Sequence, residues 1–407
     1  MEKFNKRELK QESFLSNDDG IEINKLLSLI NNHEYYSNIL SYFNIDKDSQ
    51  EKINIKGAKT LYTILKSIDE NYKKIDLKSN LQDIYFDYTK GFSIRFSDLS
   101  SNIYFNEIVR KEIIATPIHS AERDFFSNLY EIDKYASKLI ASKYNDILDK
   151  NLELLKSKNK HVRKYRLLHD SKEDKFYLRA IISEDRYFDY NNSIAFVVAL
   201  LKLHFEAATQ SNINYELYLC EYNESFIRMY FRTSETKELK GVGFLENILQ
   251  ISNDEIKREA LRFSSICSIW FTNSHNENQN LFIKPRDVKS RVLSITHGTG
   301  PNKAFQNLED FVKSKEIFEE LSKEIEGIAK IKSHNQIVHL VKSKIEKSNT
   351  VEIKKYKDDL IKLLYKDVKT TTQLLEIFNK LMLLKGLEID AKEYLRYLIY
   401  EALVERR

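Results

Sequence analysis

The chain is poor in the residues that cross-link a fold or interrupt its regular elements. It has 407 residues but only two cysteines, Cys220 and Cys267, with three prolines and nine glycines. Two cysteines cannot build a disulfide framework or a cysteine-based zinc finger. Their scarcity fits a reducing compartment, so the sequence predicts a cytoplasmic protein.

Long apolar runs and a strong excess of one charge are missing too. No window approaches the ~18 consecutive apolar residues of a membrane span, and no apolar stretch typical of a secretory signal follows the charged first residues. We therefore expect no membrane contact. The 65 basic and 61 acidic residues leave a net charge of only +4. Any surface for nucleic acid must then be local.

The spacing of apolar residues predicts an α+β fold. Hydrophobic residues, at 42%, are numerous enough for cores. Helical spacing dominates before residue 155 and after residue 303, and it also marks 192–209. Alternation typical of strands occurs at 84–96 and in segments between 165 and 231, and the apolar run 259–274 fits a strand or a buried helix. We expect a mostly helical chain whose central α/β domain holds a small, mainly antiparallel sheet, flanked by helical domains.

Two composition shifts divide this pattern into three expected domains. Residues 1–155 read as a mainly helical domain with a short β-hairpin near 84–96. A basic segment beginning at Lys156 opens a central α/β domain, 156–303. Residues 304–407 contain no proline and only two glycines, and their amphipathic stripes predict a helical bundle.

The basic segment 156–166 is the clearest indication of a partner. It holds six Lys and Arg residues and no acid. Cations that neutralise phosphates release counterions, which favours nucleic-acid binding. A soluble linker with incidental charge has the same composition. The predicted nucleic-acid contacts in this segment are Lys158, Lys160, Arg163, Lys164 and Arg166.

A second basic pattern lies in the strand-like segment 226–232. Alternation places Phe226, Arg228 and Tyr230 on one face of a strand. Together with Arg232, such a face predicts a platform on which single-stranded bases stack. An ordinary half-buried strand has the same pattern.

The segment 290–303 concentrates two of the nine glycines and one of the three prolines. His297 within it would serve as a general base, a metal ligand or a phosphate contact, or would simply satisfy the hydrogen bonds of a turn. Arg291 and Lys303 flank it and join the predicted nucleic-acid contacts, with amides of the following helix as further donors. The lysine spacing differs from that of a Walker A loop.

Signals for metals and cofactors are weak. No histidine pair has the spacing of a zinc-binding helix. Asp185 and Asp189 would suit Mg²⁺ in a nuclease, but nuclease sites need more convergent carboxylates. We therefore predict no metal and no cofactor, with His297 and Asp185 as the only catalytic candidates.

Residues 175–300 carry a family resemblance. Ser183, Asp185, Arg186 and Tyr187 resemble an S-D-R-Y segment, with Glu184 inserted, and a cysteine–asparagine segment and a late histidine motif follow. This order resembles the phage/plasmid-like protein family, a domain of unknown function borne by phages and plasmids. The resemblance implies a mobile-element or phage-related context and handling of DNA, and it supplies no catalytic residues.

These observations favour a cytoplasmic nucleic-acid-binding protein of phage, plasmid or antiviral-defence context. It would hold single strands or the phosphate backbone through its local basic surface, without chemistry. One alternative is a metal-dependent nuclease or nucleotide-acting enzyme that uses His297. The other is an interaction subunit without a ligand site, in which 304–407 binds a protein partner or a second copy of the chain.

Overall fold

The computed structural model describes most of the chain in a set of ranges. They are 9–14, 20–87, 92–97, 103–105, 108–110, 112–119, 121–158, 162–182, 187–209, 213–256, 259–285, 291–365 and 367–406. These residues divide into two compact units. Unit 1 consists mainly of Thr63–Asp189, and unit 2 of Glu8–Tyr62, Tyr190–Glu255 and Glu259–Arg407. This division differs from the three consecutive domains expected from composition.

Strands and helices have the following bounds. The strands are β1 Lys10–Ser13, β2 Ile21–Glu22, β3 Lys52–Ile53, β4 Tyr72–Asn80, β5 Ile84–Asp87, β6 Ser93–Phe96, β7 Ile103–Phe105, β8 Ile108–Arg110, β9 Ile113–Pro117, β10 Val162–Asp170, β11 Lys175–Ile182, β12 Tyr215–Tyr222, β13 Phe226–Leu239, β14 Gly243–Asp254, β15 Glu259–Thr272, β16 Asn278–Ile283 and β17 Arg291–Thr296. The α-helices are α1 Ile23–Leu27, α2 Tyr36–Phe43, α3 Ala58–Asn71, α4 Ala121–Tyr130, α5 Asp133–Ala141, α6 Asn145–Lys158, α7 Asn192–Thr209, α8 Pro301–Gln306, α9 Lys313–Ile325, α10 His334–Lys347, α11 Val351–Lys354, α12 Lys357–Leu363, α13 Thr371–Met382 and α14 Ile389–Tyr400.

Unit 1 is built on a six-stranded mixed sheet in the order β4-β10-β11-β9-β6-β5. β9 and β11 are parallel, and the other neighbours are antiparallel. Tyr165 lies opposite Leu77 on one face, and its ring meets Phe96 edge-on at 5.1 Å. This face forms a core with residues of α4, α5 and α6. Because strand side chains alternate, Lys78 and Lys164 lie on the other face.

Unit 2 is built on a seven-stranded sheet in the order β1-β12-β13-β14-β15-β16, with β17 also paired to β15. All its neighbouring strands are antiparallel. Three strands separate β12 from β16, yet Tyr218 on β12 stacks on Phe282 on β16, with ring centroids 5.8 Å apart. The sheet must therefore curl, and the face that carries these two rings is its concave face.

Apolar helices complete unit 2. The helix α7 follows the bounds that its spacing predicts, and its residues 192–201 are all buried. A helix that is apolar on all sides belongs in an interior. The C-terminal helices share a core with strand residues such as Leu245, Ile269 and Leu281. No helix in the described ranges has both the length and the apolar character needed to cross a membrane.

The expectation of a mostly helical chain with one small sheet is wrong. A large curled antiparallel sheet and a second, mixed sheet dominate the architecture. The strands expected at 84–96 are β5 and β6, which belong to the mixed sheet. The ambiguous run at 259–274 forms β15, a strand of 14 residues. Strands covered on both faces lose the apolar–polar alternation by which strands are recognised, so the sequence underestimates sheet content.

Gly243 allows the close pairing of β14 with β15. Its φ is +154°, and a Cβ added there would lie 1.9 Å from the backbone oxygen of Trp270. We expect Gly243→Ala to cost about 2–4 kcal/mol of unfolding free energy, because strain and overpacking add. Gly241→Ala is the control: its φ is +74° but no atom lies within 4 Å, so about 1–2 kcal/mol is expected. Urea unfolding followed by the fluorescence of Trp270, the single tryptophan, measures both. Equal losses would contradict the steric argument.

Candidate anion-binding site

Five charged side chains and one tyrosine lie buried together in unit 2. They come from two neighbouring strands, from the residue that follows β16, and from α14. The charged cluster consists of Glu221, Arg228, Tyr230, Lys284, Glu393 and Arg396. A charge is buried in a protein at a high desolvation cost unless partners compensate it. The arrangement of partners therefore decides what this cluster can do.

Glu221 on β12 is completely buried and has three partners in the cluster. Arg228 Nη1 donates to its Oε2 at 2.6 Å, and the Tyr230 hydroxyl donates to the same oxygen at 2.9 Å. Arg396 Nη2 donates to the other carboxylate oxygen at 3.4 Å, and its Nη1 donates to the Tyr230 hydroxyl at 2.6 Å. The cluster thus joins the sheet to α14 through charge-assisted hydrogen bonds.

Glu393 on α14 is surrounded by cations. Lys284 Nζ lies 2.5 Å from its Oε1, and Arg396 Nη1 lies 2.9 Å from its Oε2. Arg228 Nη1 is 3.8 Å from Oε2. Burial alone would raise the pKa of Glu393, but Arg228, Lys284 and Arg396 outweigh it and hold that pKa well below its ordinary value. The carboxylate therefore stays ionised.

The cluster has more positive than negative charge. Arg228, Lys284 and Arg396 outnumber the two carboxylates by one. Tyr230 adds no negative charge, because burial raises its pKa well above the ordinary value and keeps the phenol protonated. Within these six residues the excess is one positive charge, and a positive charge in a poorly solvated interior attracts anions more strongly than the same charge in water.

A polar cavity of about 330 Å³ opens beside the cluster. Its wall is formed by β1, β12, β16, α13 and α14, and Arg396 belongs to both the wall and the cluster. This volume is at the lower end of ordinary ligand sites. The neutral polar residues of the lining are Gln11, Ser13, Asn278, Gln279, Asn280 and Asn379.

Two cations lie one turn apart on α14 at the cavity wall, Lys392 and Arg396. Arg396 is only 4% exposed, and its Nε has no hydrogen-bond partner among the described residues. Lys392 is half-buried, and within the described ranges no ion pair or side-chain hydrogen bond engages its ammonium group. Burial, and after it the charge of Arg396, lower the pKa of Lys392. Like charges four residues apart on a helix repel, so an anion between them would relieve the repulsion.

Aromatic rings and guanidinium groups form a stack on the concave face. Arg232 lies over the Tyr218 ring at 4.2 Å, and Tyr218 stacks on Phe282 at 5.8 Å. Arg396 lies over Phe282 at 5.5 Å, and Arg232 is also 5.4 Å from the Trp270 ring. These contacts are cation–π interactions. An aromatic ligand would have to displace one of these neighbours to stack on Tyr218 or Phe282.

The predicted platform on β13 is thus placed inside unit 2. Phe226, Arg228 and Tyr230 do share a face, but Arg228 and Tyr230 belong to the buried cluster. Arg232 is part of the aromatic stack and lies 3.6 Å from a carboxylate oxygen of Glu246. The strand therefore presents no row of exposed rings and cations.

His297 holds a turn. It is 1% exposed, and its Nε2 donates to the backbone oxygen of Asp254 at 2.9 Å. The Tyr190 ring lies beside it at 6.0 Å, and the Tyr190 hydroxyl donates to the Thr299 oxygen at 2.6 Å. Asp185 lies outside the described residues, so no geometry links it to His297.

The other predicted contacts are dispersed. Lys303 on α8 is exposed, and Arg291 begins β17 opposite Ser264, with its side chain outside the described atoms. Lys158 is exposed at the end of α6, and Lys160 lies outside the described ranges. Lys158 thus belongs to unit 1, whereas Arg291 and Lys303 belong to unit 2.

Three predicted contacts lie on β10 in unit 1. Arg163 and Lys164 are half-buried, whereas Arg166 is only 1% exposed. Arg166 pairs with Asp76 at 3.1 Å and with Asp189 at 2.5 Å, and Lys164 lies 3.8 Å from Asp76. Much of the basic charge in this segment is therefore neutralised within the unit.

The sequence interpretation did not single out Glu221, Lys392, Glu393 and Arg396, whereas it placed Lys284 among the cations near His297 that could form an anion-binding surface. A signal exists in hindsight, because charged residues at 392, 393 and 396 interrupt an apolar helix, and Glu221 interrupts an apolar strand. Charged residues at core positions usually have partners. In the ranges described, no three His, Cys, Asp or Glu side chains come together as a metal site.

The chain matches no protein-family model, no curated protein and no solved structure. The resemblance to the phage/plasmid-like family over residues 175–300 therefore stays a prediction. The function has to be argued from the geometry of the site.

The Tyr230 hydroxyl connects Glu221 to Arg396. Its removal tests whether the charged cluster contributes to the stability of unit 2. We expect Tyr230→Phe to lower the unfolding free energy by about 1–3 kcal/mol, because two buried charged groups each lose a partner. Urea unfolding monitored by tryptophan fluorescence is the measurement. Tyr365→Phe is the matched control, since Tyr365 is 68% exposed and its loss of a hydroxyl should have almost no effect. A Tyr230→Phe variant as stable as the control would contradict the role of the cluster.

The lowered pKa of Glu393 predicts a pH dependence. Its ionised form stabilises the fold fully above its unfolded-state pKa, about 4.3, and this contribution is lost as the pH falls from there towards the folded-state pKa. The difference in unfolding free energy between wild type and Glu393→Gln should therefore be largest at neutral pH and shrink in acid. Glu388→Gln is the control, because Glu388 is an exposed partner of Lys355. A difference for Glu393→Gln that is constant with pH would refute the assignment.

Proposed function

We propose that unit 2 binds a small anionic ligand in the cavity beside the charged cluster. The observation that carries the proposal is the pair of Lys392 and Arg396 on the cavity wall. Arg396 is buried and Lys392 is half-buried, and the two repel each other. No described residue forms an ion pair with Lys392, and the carboxylate of Glu221 opposes the effect of Arg396 on its pKa only in part. Such an arrangement costs stability in the free protein, and an anion would offset that cost.

Binding without chemistry fits the surrounding groups better than catalysis does. Both carboxylates of the cluster are held by cations, and burial raises the pKa of Tyr230. A general base must accept a proton near the working pH. The lowered pKa of Glu393 and the raised pKa of Tyr230 both move away from that condition. The alternative of an enzyme that uses His297 gains no support, because its ring is buried against a backbone carbonyl.

Replacing Lys392 separates ligand binding from folding. Inorganic phosphate should raise the melting temperature of the wild type, and Lys392→Gln should weaken phosphate binding by about tenfold or more. Without phosphate, the variant should be at least as stable as the wild type, because an unfavourable charge has been removed. Calorimetric titration and thermal unfolding measure the two effects. Phosphate affinity should also fall as the pH rises through the lowered pKa of Lys392.

Lys380→Gln is the matched control for this substitution. Lys380 is exposed on the neighbouring helix α13 and does not line the cavity. Its replacement should leave both phosphate affinity and stability unchanged. A Lys392→Gln variant that loses stability but responds to phosphate as the wild type does would overturn the proposal.

Nucleic-acid binding by unit 1 is a second candidate function. It is favoured by Tyr85 on β5, which is 44% exposed and has Arg95 at 5.8 Å and Lys156 at 4.4 Å from its ring. An exposed ring can stack on a base of a single strand. Arg95 and Lys156 are paired with Glu112 and Glu153, so the exposed ring carries this candidate. Lys158, on the same helix as Lys156, is exposed as well.

Fluorescence anisotropy with single- and double-stranded oligonucleotides at several salt concentrations tests this candidate. Tyr85→Ala should weaken single-strand binding by about tenfold, the worth of one stacked base. Tyr144→Ala is the control, because Tyr144 is 55% exposed in the same unit. Phosphate contacts are strongest at low salt, so an absence of binding there would exclude the function.

A further inference from the structure

We infer that the anion bound in this cavity is a phosphorylated polyol, such as a sugar phosphate, and that its hydroxyl groups are recognised by carboxamide side chains. This inference rests on the anion-binding function proposed above and adds the class of ligand. It follows from the chemistry of the cavity wall away from Lys392 and Arg396.

The wall is unusually rich in carboxamides for a site that holds only a phosphate. Gln11, Asn278, Gln279, Asn280 and Asn379 all line it. Each carboxamide offers a carbonyl acceptor as well as an NH₂ donor. An ionised phosphate group offers mainly acceptors, so it leaves most of these carbonyl oxygens without a donor. A hydroxyl group donates and accepts, and it can pair with both halves of an amide.

The contact between Gln279 and Asn379 shows which amide groups a ligand hydroxyl could engage. Asn379 Nδ2 donates to Gln279 Oε1 at 3.1 Å. That bond uses one half of each amide. The other halves are the carbonyl oxygen of Asn379 and the NH₂ group of Gln279, and within the described ranges no other side-chain hydrogen bond engages either group. Asn379 is only 8% exposed. This oxygen belongs to a residue that lines the cavity, so a ligand hydroxyl can donate to it.

Two other amides of the wall each have a local partner. Asn280 Nδ2 lies 3.4 Å from Ser268 Oγ, and Asn278 Oδ1 accepts from Thr272 Oγ1 at 3.3 Å. These bonds orient the two amides on β16. Gln279 and Asn379 are therefore the pair whose free groups are best placed to distinguish a hydroxyl-bearing ligand from bare phosphate.

The rings of the cavity wall argue against a nucleobase. Proteins commonly hold bases by stacking them on aromatic side chains. Here Tyr218 is engaged by Phe282 and Arg232, and Phe282 is engaged by Tyr218 and Arg396. A base would have to break this stack to gain one of its own. The volume of about 330 Å³ also suits a compact ligand.

Calorimetric titration with matched probes tests the inference. The probes are inorganic phosphate, glycerol 3-phosphate, ribose 5-phosphate, glucose 6-phosphate, ribose and adenosine monophosphate. At least one phosphorylated polyol should bind about tenfold more tightly than phosphate, since two hydrogen bonds are added. Ribose should bind weakly because it lacks the anion. Adenosine monophosphate should bind no more tightly than ribose 5-phosphate, because its base finds no ring face.

Three variants assign the contacts. Asn379→Ala should lower the affinity for the best phosphorylated polyol by about tenfold while leaving phosphate affinity within about twofold. Gln279→Ala should have the same selective effect. Because Gln279 is half-buried on the edge strand β16, this variant keeps the test valid if Asn379→Ala does not fold. Lys392→Gln should lower the affinities for both probes.

The outcomes separate the two proposals. If no phosphate-bearing probe binds, the anion-binding function fails, and the inference fails with it. If phosphate binds and no phosphorylated polyol binds more tightly, the site takes anions but the hydroxyl recognition is refuted. A much tighter adenosine monophosphate would also refute it, because the base would then be recognised.

Discussion

The ion pair between Glu221 and Arg396 is the constraint on which unit 2 depends. Glu221 is fixed on β12 by the sheet, whereas Arg396 comes from α14, 175 residues further along the chain. Arg228 and Tyr230 engage one oxygen of the buried carboxylate, and Arg396 engages the other. This last contact holds α14 at the open side of the curled sheet. Buried ion pairs often add little net stability but leave few alternative arrangements. In unit 2 the pair determines where the last helix packs.

The cavity is a consequence of the same constraint. The sheet curls far enough for Tyr218 and Phe282 to stack across three intervening strands, but β12 and β16 do not pair. The space between them is lined by α13 and α14, and α14 brings Lys392 next to Arg396. Because Arg396 is engaged by the cluster, it cannot move away from Lys392. The repulsion between the two cations is thus built into the fold, and it is strongest without a ligand.

Local features of this fold could be predicted from the sequence, and the partners of those features could not. The helix 192–209 is confirmed, because a long apolar run with helical spacing needs no information about its surroundings. The shared face of Phe226, Arg228 and Tyr230 also follows from alternation alone. What covers that face is α14, and no local pattern encodes a contact over such a separation. Similarly, His297 marks a turn, but its partner Asp254 lies 43 residues away.

Composition failed to locate the functional charges for a related reason. The near balance of 65 basic and 61 acidic residues says nothing about which cations lie inside. Arg166 and Arg228 were predicted to contact nucleic acid, yet both are buried and paired with carboxylates. A cation in a pair is largely neutralised, so its presence in a basic or aromatic pattern is weak evidence for a ligand. A more informative cation is one that is at least half-buried and has no described ion-pair partner, as Lys392 is in unit 2. Because burial and pairing both depend on the tertiary fold, this distinction becomes available only once the long-range contacts are known.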